Sequence, residues 1–458
     1  MRPIGPTRQD TKSRNQAPDR LPHYPQSRNG QVALRLALEP AGTVRSRRRR
    51  LITVAGTVAT AACLLAACGT SPNSPKQPAG GGAGAATPQA AVGNLLSSIS
   101  LGRYDQVLLD IAPGESNALE YPTTQLLAQL VRLGVVTPAT TLSHVPGVSV
   151  VFSNPTYHVS SIGDGVDFVQ FTGGTVTDTA TPSQLPVGPK LQSILSPVIA
   201  NAHPVPNTSP LAGSPTAGLA TVQQKGRWYV SLNYSFAEAT RRGDNLPPPT
   251  AALRIASAGD SSADAAVKDL LDSAAQLDLT HVIALTPPDE EPALRDYASL
   301  FLPKATESIA QLQGVSFKVD TLSLHDETKP DGTLVHLDQL KVSGSIKGTD
   351  FTYDNGCVTV ATLATIQFCK SNLDNLLAAA HAPEAAMSLV DVFLSLKTDA
   401  GIMTVKEDGR WYVSPARTYL DYENAILAAI TPQQVDEIIS DIQQLALSAS
   451  HVATQVGL

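Results

Sequence analysis

At 458 residues the chain exceeds what one compact domain normally holds; 42% apolar residues suffice for more than one core, and only 16% are charged. The formal charge of −7 conceals a division: the first 50 residues carry 12 Lys/Arg against three Asp/Glu, and the remainder holds the other 37 of the 40 acids. So acidic a body excludes an extended nucleic-acid surface, and the basic end needs a different explanation.

In chain order, residues 1–50 read as a disordered basic region ending in Arg45, Arg47, Arg48, Arg49 and Arg50. Residues 51–67, LITVAGTVATAACLLAA, contain no charge and end in small residues, which is the pattern of a secretory signal. The long stretch ahead of the arginines is unusual for such a signal, and Val44 is the expected true start. Leu65-Ala66-Ala67-Cys68 resembles the lipobox of bacterial lipoproteins. That resemblance implies cleavage before Cys68, acylation of its sulfur, and anchoring at the extracytoplasmic face of the cell membrane. Residues 68–87 are rich in Gly, Pro and Ser and form a flexible tether, with Gly80–Ala85 (GGGAGA) as linker; such a coil spans roughly 25 Å. The alternative is an uncleaved transmembrane helix, but a 17-residue apolar segment is at the lower limit for spanning. Under both readings the body lies outside the cytoplasm.

Beyond the tether the sequence repeats itself. Thr87–Pro113 aligns with Ser261–Pro287 through AAV-x-x-LL-x-S, Tyr121 aligns with Tyr297, and the hexapeptide GRWYVS occurs at Gly226–Ser231 and Gly409–Ser414. A period near 180 residues is too long for a solenoid and predicts two tandem domains, residues 88–240 and 262–422, joined by a linker at 241–261. In the first, Ala91, Val92, Leu95, Leu96 and Ile99 recur at helical spacing; a short and a longer helix follow. Hairpins are expected around Gly163-Asp164-Gly165 and at GLATVQQKGRWYVSLNY, with a Pro-rich insert between them.

The second copy repeats this order. Ser262 or Asp264 caps its first helix, Pro330-Asp331-Gly332 turns its first hairpin, and GIMTVKEDGRWYVSPAR forms its last. Its insert holds Cys357 and Cys369 and an Ala-rich helical stretch, Leu373–Leu396. Two cysteines twelve apart in an exported chain predict a disulfide at the base of a hairpin, contributing about 2–3 kcal/mol. Residues 423–458 read as a terminal helical segment, with Thr431-Pro432 as its cap and first position.

Helices followed by hairpins define an α+β class. This order, with a closing strand that begins at GRWYVS, resembles the nuclear-transport-factor-2-like, cystatin-like domains of many actinobacterial envelope lipoproteins. The resemblance implies two tandem cone-like domains, each with N-terminal helices packed on a curved antiparallel sheet. Enzymes of that family carry buried Asp/His pairs inside the cone; none can be placed here, so no activity carries over.

The chemistry-bearing residues read as structural. Neither a nucleophile elbow nor a phosphate-binding loop is present. His325 and His336 flank the Pro330-Asp331 turn with Asp326, Glu327 and Asp338 nearby, but they lack a third ligand, so no metal is expected. The acids of Asp289–Asp296 (DEEPALRD) read as a helix start. In GRWYVS, Gly226 and Gly409 provide turns of positive φ, and Trp228 and Trp411 pack over the end of a core. The expectation is a protein without catalytic residues or cofactors, held at the membrane by lipid and displaying two domains that bind an envelope partner or an apolar ligand. The alternatives are a lipid or hydrophobic-ligand carrier and a cone-fold hydrolase or isomerase.

Overall fold

The computed structural model describes residues 84–143, 145–199, 202–311, 314–354, 356–361, 366–369 and 401–455. The expected signal, Cys68 and the expected helical stretch Leu373–Leu396 lie outside these residues, as does the expected tether up to residue 83. All described residues belong to one compact unit.

Helix α1 (Pro88–Ser100) starts where Thr87 Oγ1 accepts the Ala90 N–H at 3.2 Å. It buries Ala91, Val92, Leu95 and Leu96, as the spacing predicts. The short α2 (Tyr104–Asp110) and the longer α3 (Pro113–Arg132) follow. Strands β1 (Val148–Gly163) and β2 (Val166–Ala180) form the expected hairpin. After α4 (Pro189–Ile199) come β3 (Val205–Pro210), β4 (Gly218–Gln224), β5 (Arg227–Ser231) and α5 (Leu232–Gly243). The Pro-rich insert is therefore partly strand: β3 pairs with Thr175–Ala180 of β2. Its prolines are tolerated because β3 is an edge strand, whose outward amide positions need no partner.

The second copy repeats this plan with α6 (Ala263–Ala275), α7 (Leu279–Ala284), α8 (Pro292–Gln311), β6 (Ser316–Lys329) and β7 (Gly332–Ile346). Ser262, rather than Asp264, is the cap of α6. Strands β8 (Thr349–Asp354), β9 (Cys357–Val360) and β10 (Ile366–Phe368) extend the sheet. Strands β11 (Gly401–Glu407) and β12 (Arg410–Val413) close it; α9 (Pro415–Ala429) and α10 (Pro432–Gln455) complete the chain.

Both sheets are antiparallel, so the fold is α+β. The first runs β1-β2-β4-β5 with β3 beside the far half of β2; the second runs β10-β9-β8-β7-β11-β12 with β6 on the other side of β7. In each, one long strand splits its free edge. Its first half pairs with the closing hairpin (Val166–Gln170 with β4, Thr333–His336 with β11), and its second half pairs with an inserted strand, β3 or β8. Alternation along β5 then directs side chains to two different cores. Trp228 and Val230 pack with α1, whereas Tyr229 joins Phe168, Ala220, Tyr234 and, from the second copy, Ala293 and Tyr297.

That second core is shared because the closing helices bridge the two copies. Helix α5, which closes the first copy, packs on β4 of its own sheet and on α8 of the second copy; α9, which closes the second, packs on β11 of its own sheet and on α3 of the first. Arg132 of α3 donates to the carbonyls of Leu427 and Ile430 at 2.6 and 2.9 Å, and Asn424 of α9 donates to Pro122 O at 2.8 Å. Cys357 and Cys369 are bonded immediately below the Val358–Phe368 pair, at the base of the expected hairpin.

Candidate functional site

The repeated hexapeptide closes the sheet of each copy. Lys225 and Gly226 have φ of 50° and 76°, and Asp408 and Gly409 have 47° and 81°. Both turns are thus of the left-handed two-residue type that suits a hairpin, and the glycines take the expected positive φ. The Trp228 N–H donates to Ala85 O at 2.9 Å and its carbonyl accepts from Ala85 N; Trp411 does the same with Asp260. Gly84 and Gly259 precede these partners and lie against the strand. A Cβ on Gly84 would stand 2.7 Å from the Tyr229 ring, and one on Gly259 2.5 Å from the Tyr412 ring. Gly84-Ala85 is consequently part of the folded body, not of the linker in which the Gly-rich pattern placed it. Trp411 packs on the core of Ala263, Ala266, Val267 and Val413. Trp411→Phe is therefore expected to lower stability by about 1 kcal/mol, read by chemical denaturation, with the hairpin itself unchanged.

The last residue of the hexapeptide carries more. Ser231 caps α5 by accepting the Tyr234 N–H at 3.1 Å, and its hydroxyl donates to Glu115 Oε1 at 2.5 Å. Glu115 also accepts the N–H groups of Leu232 at 2.6 Å and Asn233 at 3.3 Å, so a carboxylate from α3 neutralises the positive end of α5. Burial, opposed by these hydrogen bonds, raises the Glu115 pKa. In the second copy Ser414 caps α9, accepting the Arg417 N–H at 3.2 Å, and donates to Glu290 Oε2 at 2.5 Å. Pro415 stands where Leu232 stood and has no N–H to give. Arg417 replaces it, its Nε donating to Glu290 Oε1 at 2.8 Å while Nη1 reaches Asp331 O at 2.6 Å.

A third buried carboxylate ties the copies together. Glu238 of α5 accepts from Arg241 at 2.7 and 2.8 Å, from Arg242 at 2.6 Å, and from the Tyr297 hydroxyl of α8 at 2.7 Å. Tyr234 of α5 donates to Asp296 of α8, which is also paired with Arg254 at 2.7 Å.

His325 and His336 do face each other as cross-strand partners, with ring centroids 4.5 Å apart and planes 9° from parallel. A metal lies in the plane of each imidazole it binds, so two stacked rings cannot share one ion. Each ring is instead held by a carboxylate, His325 by Asp338 at 2.6 Å and His336 by Glu327 at 2.9 Å. Among the described residues no group of three or more His, Cys, Asp or Glu is placed to hold a metal.

DEEPALRD does contain a helix start, as expected. Helix α8 begins at Pro292, so Asp289, Glu290 and Glu291 precede it, and Glu290 points away to Ser414 and Arg417. The signal for this lies in the repeat: Pro113-Gly114-Glu115 and Pro288-Asp289-Glu290 stand at the same spacing as Ala90 and Ala265. Extending the alignment through those triplets pairs the two joint carboxylates by residue order alone.

Comparison with protein-family models, with curated proteins and with solved structures finds no match to this chain.

Proposed function

We propose that this is an exported, lipid-anchored protein of the cell envelope that displays two cone-like α+β domains and acts by binding a protein partner or an apolar ligand, without catalysis. The observation that carries the proposal is the pattern from Arg45 to Cys68: arginines, a 17-residue uncharged segment, then Leu-Ala-Ala-Cys. Gly84, the first described residue, packs against Tyr229 only sixteen residues after that cysteine. A polar tether of that length holds a folded body close to the bilayer. The arrangement of helices and twin sheets accords with the nuclear-transport-factor-2-like and cystatin-like resemblance of the sequence.

Two observations support binding over chemistry. The buried carboxylates Glu115, Glu238 and Glu290 are each engaged by helix ends, hydroxyls or arginines, so they serve as joints. Phe236 and Tyr419 stand at equivalent places on the two closing helices, and both face solvent, at 76% and 61% exposure. Exposed aromatics are large contact groups of low conformational entropy, suited to recognition.

The test is expression of the chain and its Cys68→Ser variant in a bacterium that processes lipoproteins. The parent should partition with membranes and carry diacylglycerol on Cys68 by mass spectrometry, and the variant should lose both lipid and cleavage. An unacylated parent that stays membrane-bound with residues 51–67 intact would overturn the anchor in favour of a transmembrane helix.

A further inference from the structure

Where the two copies meet, carboxylates outnumber the cations that face them. Gly114, at the start of α3, lies so close to the loop before α8 that a Cβ there would stand 2.1 Å from Asp289 O. Asn233 of α5 reaches across and donates to Glu290 O at 2.7 Å. From the closing hairpin, Glu407 Oε2 accepts the Asp289 N–H at 3.1 Å. The charged groups facing this junction are Glu115 from α3; Asp289, Glu290 and Glu291 from the loop; Arg295 from α8; Asp331 from the β6–β7 turn; Glu407 from β11 with its cross-strand partner Arg410 from β12, which donates to Gly259 O at 3.0 Å; and Arg417 from α9. Arg417 is committed to Glu290 and the Asp331 carbonyl, and Glu115 to Ser231 and the end of α5. Arg295 is the cation that acts on both Glu291 and Glu407, yet its guanidinium donates to the carbonyls of Thr286 and Pro288, both at 2.9 Å. Two carboxyls therefore share one arginine that is already hydrogen-bonded elsewhere.

We propose that this junction is a pH-responsive clasp, holding the two copies together while Glu291 and Glu407 are uncharged and loosening as both ionise. Burial first, and then the neighbouring carboxylates, raise each from the ordinary glutamate value of 4.5 to about 7. Arg295 opposes the shift at both, and the Asp289 N–H opposes it at Glu407. For a group whose folded value is raised, the stabilisation is complete below the unfolded value of 4.5 and is lost as pH rises through about 7. The clasp thus weakens between mildly acid and mildly alkaline solution. The first copy has no counterpart, since Gln224 and Ser116 stand where the second has Glu407 and Glu291.

The test is thermal melting and amide hydrogen exchange of the full chain at pH 5.5 and pH 8.5, compared with Glu291→Gln, Glu407→Gln and the double variant. Glutamine keeps the shape of each side chain and removes its titration. The parent should melt roughly 3–6 °C lower at the higher pH. After correction for intrinsic exchange rates, protection of the segments holding Gly114 and Asp289 should fall about tenfold ahead of the sheets. The double variant should show neither change. The proposal is overturned if the parent melts at the same temperature at both values, if the double variant keeps the parent's pH dependence, or if protection is lost evenly over the chain.

Discussion

Glu290→Ala is expected to destabilise the protein by about 3–5 kcal/mol, the range for removing one partner of a buried ion pair. The loss has two parts. Ser414 loses the acceptor for its hydroxyl, and the Arg417 guanidinium, itself buried, keeps only Asp331 as an anionic neighbour, with Nη1 3.5 Å from that carboxylate. Chemical denaturation of the single variant gives the total, and a double-mutant cycle with Arg417→Met separates the pair from the rest. A coupling of about 0.5–3 kcal/mol is expected, because the two residues are in direct contact. A double variant whose loss equals the sum of the two single losses would show that Glu290 and Arg417 are neighbours without a joint.

Glu238→Ala is expected to cost about 3 kcal/mol, the lower end of the same range, since Arg241 and Arg242 are less buried than the carboxylate and can turn toward water. Its effect should extend beyond the first copy, because the Tyr297 hydroxyl of α8 loses its acceptor. Burial alone would raise the Glu238 pKa, but the hydrogen bonds of Arg241, Tyr297 and Arg242 outweigh it and hold the group below the ordinary value. Its contribution is therefore present above the ordinary 4.5 and lost as pH falls through the lowered folded value. Acid denaturation followed by circular dichroism should begin at a higher pH in Glu238→Gln than in the parent; identical acid midpoints would exclude Glu238 as a source of acid sensitivity.

Local structure is written plainly in the sequence. Ser262 announces its helix as one of two candidate caps, Pro330-Asp331 and the Asp-Gly pairs announce their turns, and GRWYVS marks the closing strands. The two cysteines flank arms that pair as hairpin strands. Three features are obscured by competing signals. The prolines of Val205–Pro210 mask a strand, because edge position is a property of the sheet and not of the segment. Ser414-Pro415 is a good helix start, but it follows so directly on a strong strand pattern that α9 reads as the strand's tail. The third feature is the bridging of the copies by their closing helices. Amphipathic spacing shows that α5 and α9 must bury a face, but nothing in a periodicity says which copy supplies the surface. The candidate site follows the same division: its turn glycines and tryptophans are visible, whereas Ser231 and Ser414 matter through Glu115 and Glu290, more than a hundred residues away.

This bridging also orders events in time. A chain emerging from its N-terminus can form β1 to β5 early, but α3 is not covered until α9, Pro415–Ala429, has been made. The first copy must therefore wait, with part of its apolar surface open, until nearly the whole chain has followed. Contacts of such long sequence separation slow folding and lengthen the exposure of partly folded states. A chain truncated after Gly243 should thus remain protease-sensitive in α3, and one extended through residue 429 should lose that sensitivity.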